Sequence, residues 1–322
     1  MQYNTLPRTN IKVSQLCLGT MMFGGQTSEA DSFRIMDAAH DLGVNFFDTA
    51  NIYQNGETER IVGKWLKNHR NEVVLATKVR GRFGDGINDE GLSRDAILRA
   101  AEDSLRRLQT DHIDIFYLHM PDHDTALYET LQTMDSLVRA GKVRHVGVSN
   151  YAAWQVMEML AICRECGFEA PIVTQNVWNL VTRGIEQELQ GFLDAHPMGL
   201  CIYNPLAAGL LTGKYAGGAM PSDTRFSQNP RYRARYYSNE NLAAAARLSE
   251  IAQSHGTTLL NLSLRTALAQ PHVTSVICGV SRPEQLAPDL AALEDPAPDA
   301  ALCRELDDVW RSLPCDRFAY NR

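Results

Sequence analysis

The chain has 322 residues, 44% hydrophobic and 21% charged, with 31 basic against 38 acidic side chains and a formal charge of −7. Such a composition excludes a disordered or fibrous chain and leaves room for one large or two small globular domains. No apolar run approaches the ~18 residues of a membrane span, and an acidic chain is a poor partner for nucleic acid, so neither a membrane nor a nucleic-acid partner is expected.

From the N-terminus, MQYNTLPRTN is polar and has no secretory or transit pattern, which points to a cytoplasmic protein. Residues 3–13, around Pro7-Arg8-Thr9-Asn10, read as a hairpin. Eight short apolar runs follow: QLCLGT, VNFFDTA, VVLATKV, IDIFYLH, RHVGVSN, PIVTQN, GLCIYNP and VTSVICGV. Each is near-continuous rather than alternating, as strands covered on both faces of a parallel sheet read. Between them lie helical patterns with legible ends. SEADSFRIMDAAHDLG opens on Ser28 and Asp31 and stops at Gly43, SRDAILRAAEDSLRRL starts at Ser93, and NENLAAAARLSEIAQSHG closes at Gly256.

Strand runs alternating with helices, without a Pro/Gly/Ser-rich linker, predict an α/β fold. The expectation is a single (β/α)8 TIM-barrel domain over residues 1–322 with an N-terminal β-hairpin. A doubly wound open sheet is the alternative on strand count. After the seventh run comes a far longer interval, residues 204–272, whose first part (210–239) reads as a long loop over the barrel mouth. Its RYRARYY run reads as part of that solvated loop and not as a nucleic-acid patch. Seven cysteines, at 17, 163, 166, 201, 278, 303 and 315, are odd in number and irregularly spaced, which fits reduced thiols. Cys163 and Cys166 form a C-x-x-C without a second pair, so no metal is expected there.

Barrel enzymes carry their chemistry at the C-terminal strand ends. Here the runs end on Thr20, Asp48, Lys78, His119, Asn150, Gln175, Tyr203 and Gly279. Asp48, Lys78 and His119 end runs two, three and four, which are neighbours in a barrel, with strands ~4.8 Å apart. Tyr53 follows just past the second. An Asp, a Lys, a Tyr and a His so grouped suggest a tuned proton donor: a phenol near its ordinary ~10 is a poor acid at neutral pH unless a cation such as Lys78 stabilises its anion, with Asp48 holding the lysine in place. Taken singly, His119 also reads as a structural histidine and Tyr53 as a surface tyrosine.

The segments FDTANIYQNGETE (47–59), LATKV (75–79), IDIFYLHMPD (113–122), VGVSN (146–150) and YNPLAAGLLTGKY (203–215) resemble the aldo-keto reductase superfamily. The likeness runs from GTMMFGG (19–25) to GVSRPEQL (279–286), in the manner of bacterial members related to potassium-channel β subunits. It implies reversible, NADPH-dependent reduction of an aldehyde or ketone. Tyr53 would be the proton donor, Lys78 the group lowering its pKa, Asp48 the partner of Lys78, and His119 the residue orienting the carbonyl. Gly19, Thr20, Met21 and Asp48 would border the cofactor. Ser149, Asn150 and Gln175 match residues that hold the nicotinamide carboxamide, and Tyr203 matches the aromatic that stacks on the ring. Asn204, Pro205, Leu206 and Ala207 continue that strip, Lys214 would meet the pyrophosphate and Arg225 would lie over it. Gly279, Ser281, Arg282 and Gln285 match the adenosine 2′-phosphate end, and Asp289 would border the cofactor there.

Two departures stand out. Pro288-Asp289 replaces the E-N usual in the family, with Pro288 removing a donor and Asp289 placing an anion near the phosphate. Asn204 stands where many relatives carry Ser. The substrate pocket is expected near Met22, Phe23, Phe83, Met120 and Trp154. There is no G-x-G-x-x-G between a strand and a helix, so a Rossmann cofactor site is unsupported. A Schiff-base aldolase through Lys78 would need a desolvated, neutral lysine, which Asp48 opposes. A metal hydrolase through HMPDHD lacks a second ligand cluster at another strand end. A cofactor-sensing regulatory subunit would not need the whole catalytic set.

Overall fold

The computed structural model describes residues 1–84, 86, 89–215 and 225–314. Two short strands, β1 (Tyr3–Thr5) and β2 (Lys12–Ser14), form an antiparallel hairpin at the N-terminus. The eight predicted runs then form β3 (Leu16–Gly19), β4 (Phe46–Asp48), β5 (Val74–Val79), β6 (Ile113–Leu118), β7 (Val143–Ser149), β8 (Val173–Val177), β9 (Gly199–Tyr203) and β10 (Val273–Cys278). All pair in parallel, in the closed order β10-β3-β4-β5-β6-β7-β8-β9. The sheet is therefore a TIM barrel and not an open doubly wound sheet.

Outside it run α1 (Glu29–Asp41), α2 (Glu57–His69), α3 (Arg94–Leu108), α4 (Leu127–Arg139), α5 (Ala153–Cys166) and α6 (Leu189–Ala195). The second half adds α7 (Arg225–Gln228), α8 (Pro230–Tyr236), α9 (Asn239–Ser254), α10 (Leu259–Leu268), α11 (Leu286–Glu294) and α12 (Ala300–Ser312). The helix starts legible in sequence are side-chain caps. Ser28 accepts from Asp31 N and Ser93 from Ala96 N, satisfying amides that the first helical turn leaves open. Gly43 and Gly256 end their helices at positive φ, as left-handed C-terminal positions require.

The barrel divides the core in two by strand parity. Leu18, Phe47, Leu75, Phe116, Val146 and Val148 face outward into the layer shared with the helices. Cys17, Phe46, Ala76, Ile115, Tyr117, Val173, Cys201 and Ile277 fill the interior. Leu6 and Val13 of the hairpin join this inner cluster, so the hairpin plugs one end. The large Tyr117 ring fits there because residue 147 is glycine: a Cβ would lie 2.5 Å from Tyr117 Cδ1. The polar interior positions continue the same parity at the other end, which is where the strand ends cluster.

The stretch read as one long loop after the seventh run is partly helical, a correction to that reading. Residues 216–224 of it lie outside the described residues, but α7 and α8 follow directly. Asn229 Oδ1 accepts from the amides of Arg231 and Tyr232, and Pro230 occupies the first turn, where its missing amide costs no helix bond. The RYRARYY run thus forms α8 and its end, with Tyr236 buried and bonded to Asn204. Among the described residues, Cys17, Cys163, Cys166, Cys201, Cys278 and Cys303 are free thiols; Cys315 lies outside them.

Candidate active site

Parallel pairing aligns Asp48 with Gly19 on one side and Ala76 on the other, and Lys78 with Tyr117. Lys78 lies two residues beyond Ala76, so parity turns its side chain inward, where it is 0% exposed. Its ammonium makes an ion pair with Asp48 Oδ1 and donates to the Thr49 carbonyl at 2.7 Å and to the Tyr53 hydroxyl at 3.4 Å. The other Asp48 oxygen accepts from Gln175 Nε2 at 2.8 Å. Thr20 Oγ1 and N both donate to the Asp48 carbonyl, fixing the strand end. Burial alone would push Lys78 down, but Asp48 and Tyr53 outweigh it and hold the ammonium above its ordinary value. Lys78 is therefore a fixed buried charge.

Tyr53 opens the short 3-10 turn Tyr53–Gly56 that leads into α2. That turn is tight: Gln54, Asn55 and Gly56 all have positive φ. The Tyr53 ring stands edge-on to His119 with centroids 6.2 Å apart, and the Lys78 ammonium lies 5.1 Å from its centroid. Burial raises the phenol above its ordinary value; Lys78 pulls it down but does not outweigh burial. The lowering by Lys78 expected from the sequence is present, but burial exceeds it. Tyr53 is therefore protonated at neutral pH, desolvation of a phenolate costing more than one ammonium returns.

His119 follows β6 and is held by backbone, its amide donating to Val79 O at 2.9 Å. Its Nδ1 is buried without a hydrogen-bond partner. Burial, with Lys78 and Arg80 nearby, pushes the imidazole down to about 3, so it is neutral at physiological pH. The folded state thus binds fewer protons than the unfolded chain between about pH 6.5 and 3, and stability falls as pH drops through that window. The slope is at most about 1.4 kcal/mol per pH unit. His119→Gln should flatten this acid limb in urea unfolding midpoints measured against pH. An unchanged slope would place the acid sensitivity elsewhere.

The residues matched to the nicotinamide amide lie together beside this group. Ser149 Oγ donates to Gln175 O at 2.9 Å, and Asn150 Nδ2 donates to Ser149 Oγ and to His119 O, both at 3.0 Å. Tyr203 OH donates to Asn150 Oδ1 at 2.7 Å. Asn204 adopts φ 59° and its Oδ1 accepts from Ala208 N at 2.7 Å, a conformation that asparagine tolerates well. Pro205, Leu206 and Ala207 continue into the turn after β9, with Pro205 and Ala207 buried. Lys214 is exposed, its ammonium 5.3 Å from the Tyr215 ring centroid. Arg225 is stacked 4.3 Å over Tyr232, with Nη2 3.8 Å from Met21 Sδ. Tyr232 is a partner that the sequence reading did not single out.

At the end of β10, Gly19 and Gly279 lie side by side, a Cβ on Gly279 falling 3.6 Å from Gly19 O. Gln285 Oε1 accepts from the amides of Ser281 and Arg282, so its side chain shapes the turn. Arg282 is exposed. Asp289 departs from expectation. The buried face of α11 recurs at Leu286, Asp289, Leu290 and Leu293, and this spacing turns the carboxyl inward. Burial pushes it up to about 7, so it is not the fixed anion the sequence suggested. Pro288 is exposed in the first turn of α11, where amides have no intrahelical acceptor.

The expected pocket lining also divides. Met22 and Met120 are half-buried and Trp154 is 60% exposed, but Phe23 is fully buried core. Phe83 packs 4.3 Å over Arg107 on α3, on the outer flank between α2 and α3. In HMPDHD, Asp122 is spent on the loop, accepting from Leu92 N, Asp124 N and Thr125 Oγ1.

The sequence profile described as "Aldo/keto reductase family" matches residues 15–310. The chain is 38% identical to the uncharacterized oxidoreductase YrpG of Bacillus subtilis (strain 168), covering 96% of each. It is 36% identical to a probable voltage-gated potassium channel subunit beta of Oryza sativa subsp. japonica, over 91% of this chain and 92% of the relative. With Protein tas of Escherichia coli (strain K12) it shares 35% identity, over 91% of this chain and 93% of that protein.

Proposed function

The chain belongs to the aldo/keto reductase family, whose members are NAD(P)H-dependent oxidoreductases of small carbonyl compounds, and on that premise we propose that it reversibly reduces an aldehyde or ketone to the alcohol with NADPH. The observation that carries this reading is the buried Asp48–Lys78–Tyr53 chain opening beside a neutral His119. A nicotinamide held at this rim would supply the hydride. Tyr53 gives its hydroxyl proton to the carbonyl oxygen as negative charge develops there. The Lys78 ammonium stabilises the resulting phenolate, and Asp48, oriented by Gln175, keeps that ammonium charged and in place. His119 donates from its imidazole to the same oxygen without adding a charge.

Ser149 and Asn150 are hydroxyl and amide groups of the type that pair with a carboxamide, although here they are bonded to one another and must exchange partners to hold it, while Gln175 keeps its Nε2 on Asp48 and would offer its Oε1. Gly19, Thr20 and Met21 line the same rim, Tyr203 offers its ring, and Lys214 and Arg225 offer cations for the pyrophosphate. Steady-state consumption of reduced nicotinamide with a panel of aldehydes and ketones tests the reading. A chain that binds the cofactor but turns over none of them would favour the regulatory-subunit reading.

Arg282 sets the cofactor preference. It follows β10 on a turn shaped by Ser281 and Gln285, and no ionic partner for it is found among the described residues. A guanidinium there can meet a 2′-phosphate in a charge-assisted contact worth ~1.5–3 kcal/mol, or about one to two decades in affinity. Because Asp289 is turned into the core and burial pushes its carboxyl up to about 7, it offsets that contact less than the sequence alone implied. Arg282→Ala should weaken NADPH by that margin and leave NADH unchanged in fluorescence titrations. Equal loss for both cofactors would remove Arg282 from the phosphate site.

A further inference from the structure

We propose that His40, His69 and Glu72 form a site for one divalent transition-metal ion of the zinc class, on the outer flank of the barrel where α1 and α2 end. His40 Nε2 and His69 Nδ1 point at the same carboxylate oxygen, Glu72 Oε2, at 3.0 and 2.8 Å. The three ligand atoms all lie within 4.8 Å of one another. Around a tetrahedral zinc with bonds of ~2.0–2.1 Å, neighbouring ligand atoms are ~3.3 Å apart. The two contacts to Glu72 therefore need to open by only a few tenths of an ångström. Two imidazoles and one carboxylate are the donor set that suits zinc, with a fourth position left to water.

Three features beyond the cluster itself favour a cation here. His40 stands in the last turn of α1 and His69 closes α2, so an ion between them sits at the negative ends of two helix dipoles. The His69 ring is held in place, stacked on Trp65 with centroids 4.1 Å apart and planes 15° from parallel. Trp65 is itself buried, stacked on Phe47 and donating from Nε1 to Asp37 at 2.7 Å. The site is thus one preorganised ring, a second ring from a separate helix 5.0 Å away, and an exposed carboxylate able to adjust. A bound ion ties the end of α1 to the end of α2, the helix that continues directly from the Tyr53 turn. It lies apart from the catalytic strand ends and takes no part in the reaction proposed above.

Zinc chloride titrated by calorimetry into metal-stripped full-length protein, in a buffer that does not chelate, tests this. One saturable site per chain is expected, with magnesium and calcium failing to compete because they prefer all-oxygen ligands. His40→Asn and Glu72→Gln, both at partly exposed positions, should each lower zinc affinity by more than about tenfold, since even outer-shell changes cost 10–100-fold. Saturating zinc should raise the thermal midpoint by a few degrees in the wild-type chain and not in either variant. Tryptophan emission should change on zinc addition through the Trp65–His69 stack and be unresponsive in the variants. The proposal is overturned by absence of saturable binding. It is equally overturned if both substitutions leave the affinity unchanged, the result expected if zinc prefers another His–carboxylate pair such as His255–Glu305 or His272–Asp194.

Discussion

Tyr53→Phe should abolish carbonyl reduction while leaving cofactor affinity nearly intact. Tyr53 is the phenol that bonds to Lys78 and stands edge-on to His119 at the barrel mouth. Removal of its hydroxyl deletes the proposed proton donor and one acceptor of the Lys78 ammonium, which keeps Asp48 and the Thr49 carbonyl. The ring and its packing remain, so the fold and the cofactor groove are expected to be undisturbed. Loss of a positioned acid costs about 10²–10⁴ in rate. Single-turnover rates with a generic aldehyde, set beside cofactor titrations, measure both halves of the expectation. Wild-type turnover in the variant would assign the proton to another group.

Lys78→Met should damage both chemistry and stability. The side chain is fully buried in its ion pair with Asp48, and removing one partner of such a pair typically costs ~3–5 kcal/mol because the other charge is left uncompensated. Asp48 retains Gln175 Nε2 as a donor, which moderates but does not replace the lost ammonium. The chemical effect has a sign. Lys78 pulls the Tyr53 phenol down against burial, so its removal raises the phenol further. Alcohol oxidation needs the phenolate, and its rate appears as pH rises through the Tyr53 value. The acid limb of that profile should therefore move to higher pH in the variant, besides losing height. A profile of unchanged shape, or an unchanged urea midpoint, would count against the roles given to Lys78.

The amino-acid sequence alone determined the eight strands, the hairpin and several helix ends. These depend on local signals: near-continuous apolar runs that mark strands buried on both faces, and Ser28, Ser93 and Gly43 at positions whose backbone groups need a cap or a left-handed residue. It also brought Asp48, Lys78 and His119 together, because in a parallel barrel consecutive strands are neighbours and their ends share one rim. What it could not supply were quantities set by burial. Whether burial or Lys78 prevails at Tyr53, and how far burial raises the Asp289 carboxyl, depends on how much water each group keeps. In the segment read as a loop, the Asn229 cap and Pro230 that open α8 are local signals, whereas the burial of Tyr236 against Asn204, far back in the chain, is set by the tertiary structure. The convergence of His40, His69 and Glu72 was invisible for the same reason: Trp65 and the packing of α1 against α2 orient those side chains, and residues separated in sequence acquire a common environment only when the helices dock.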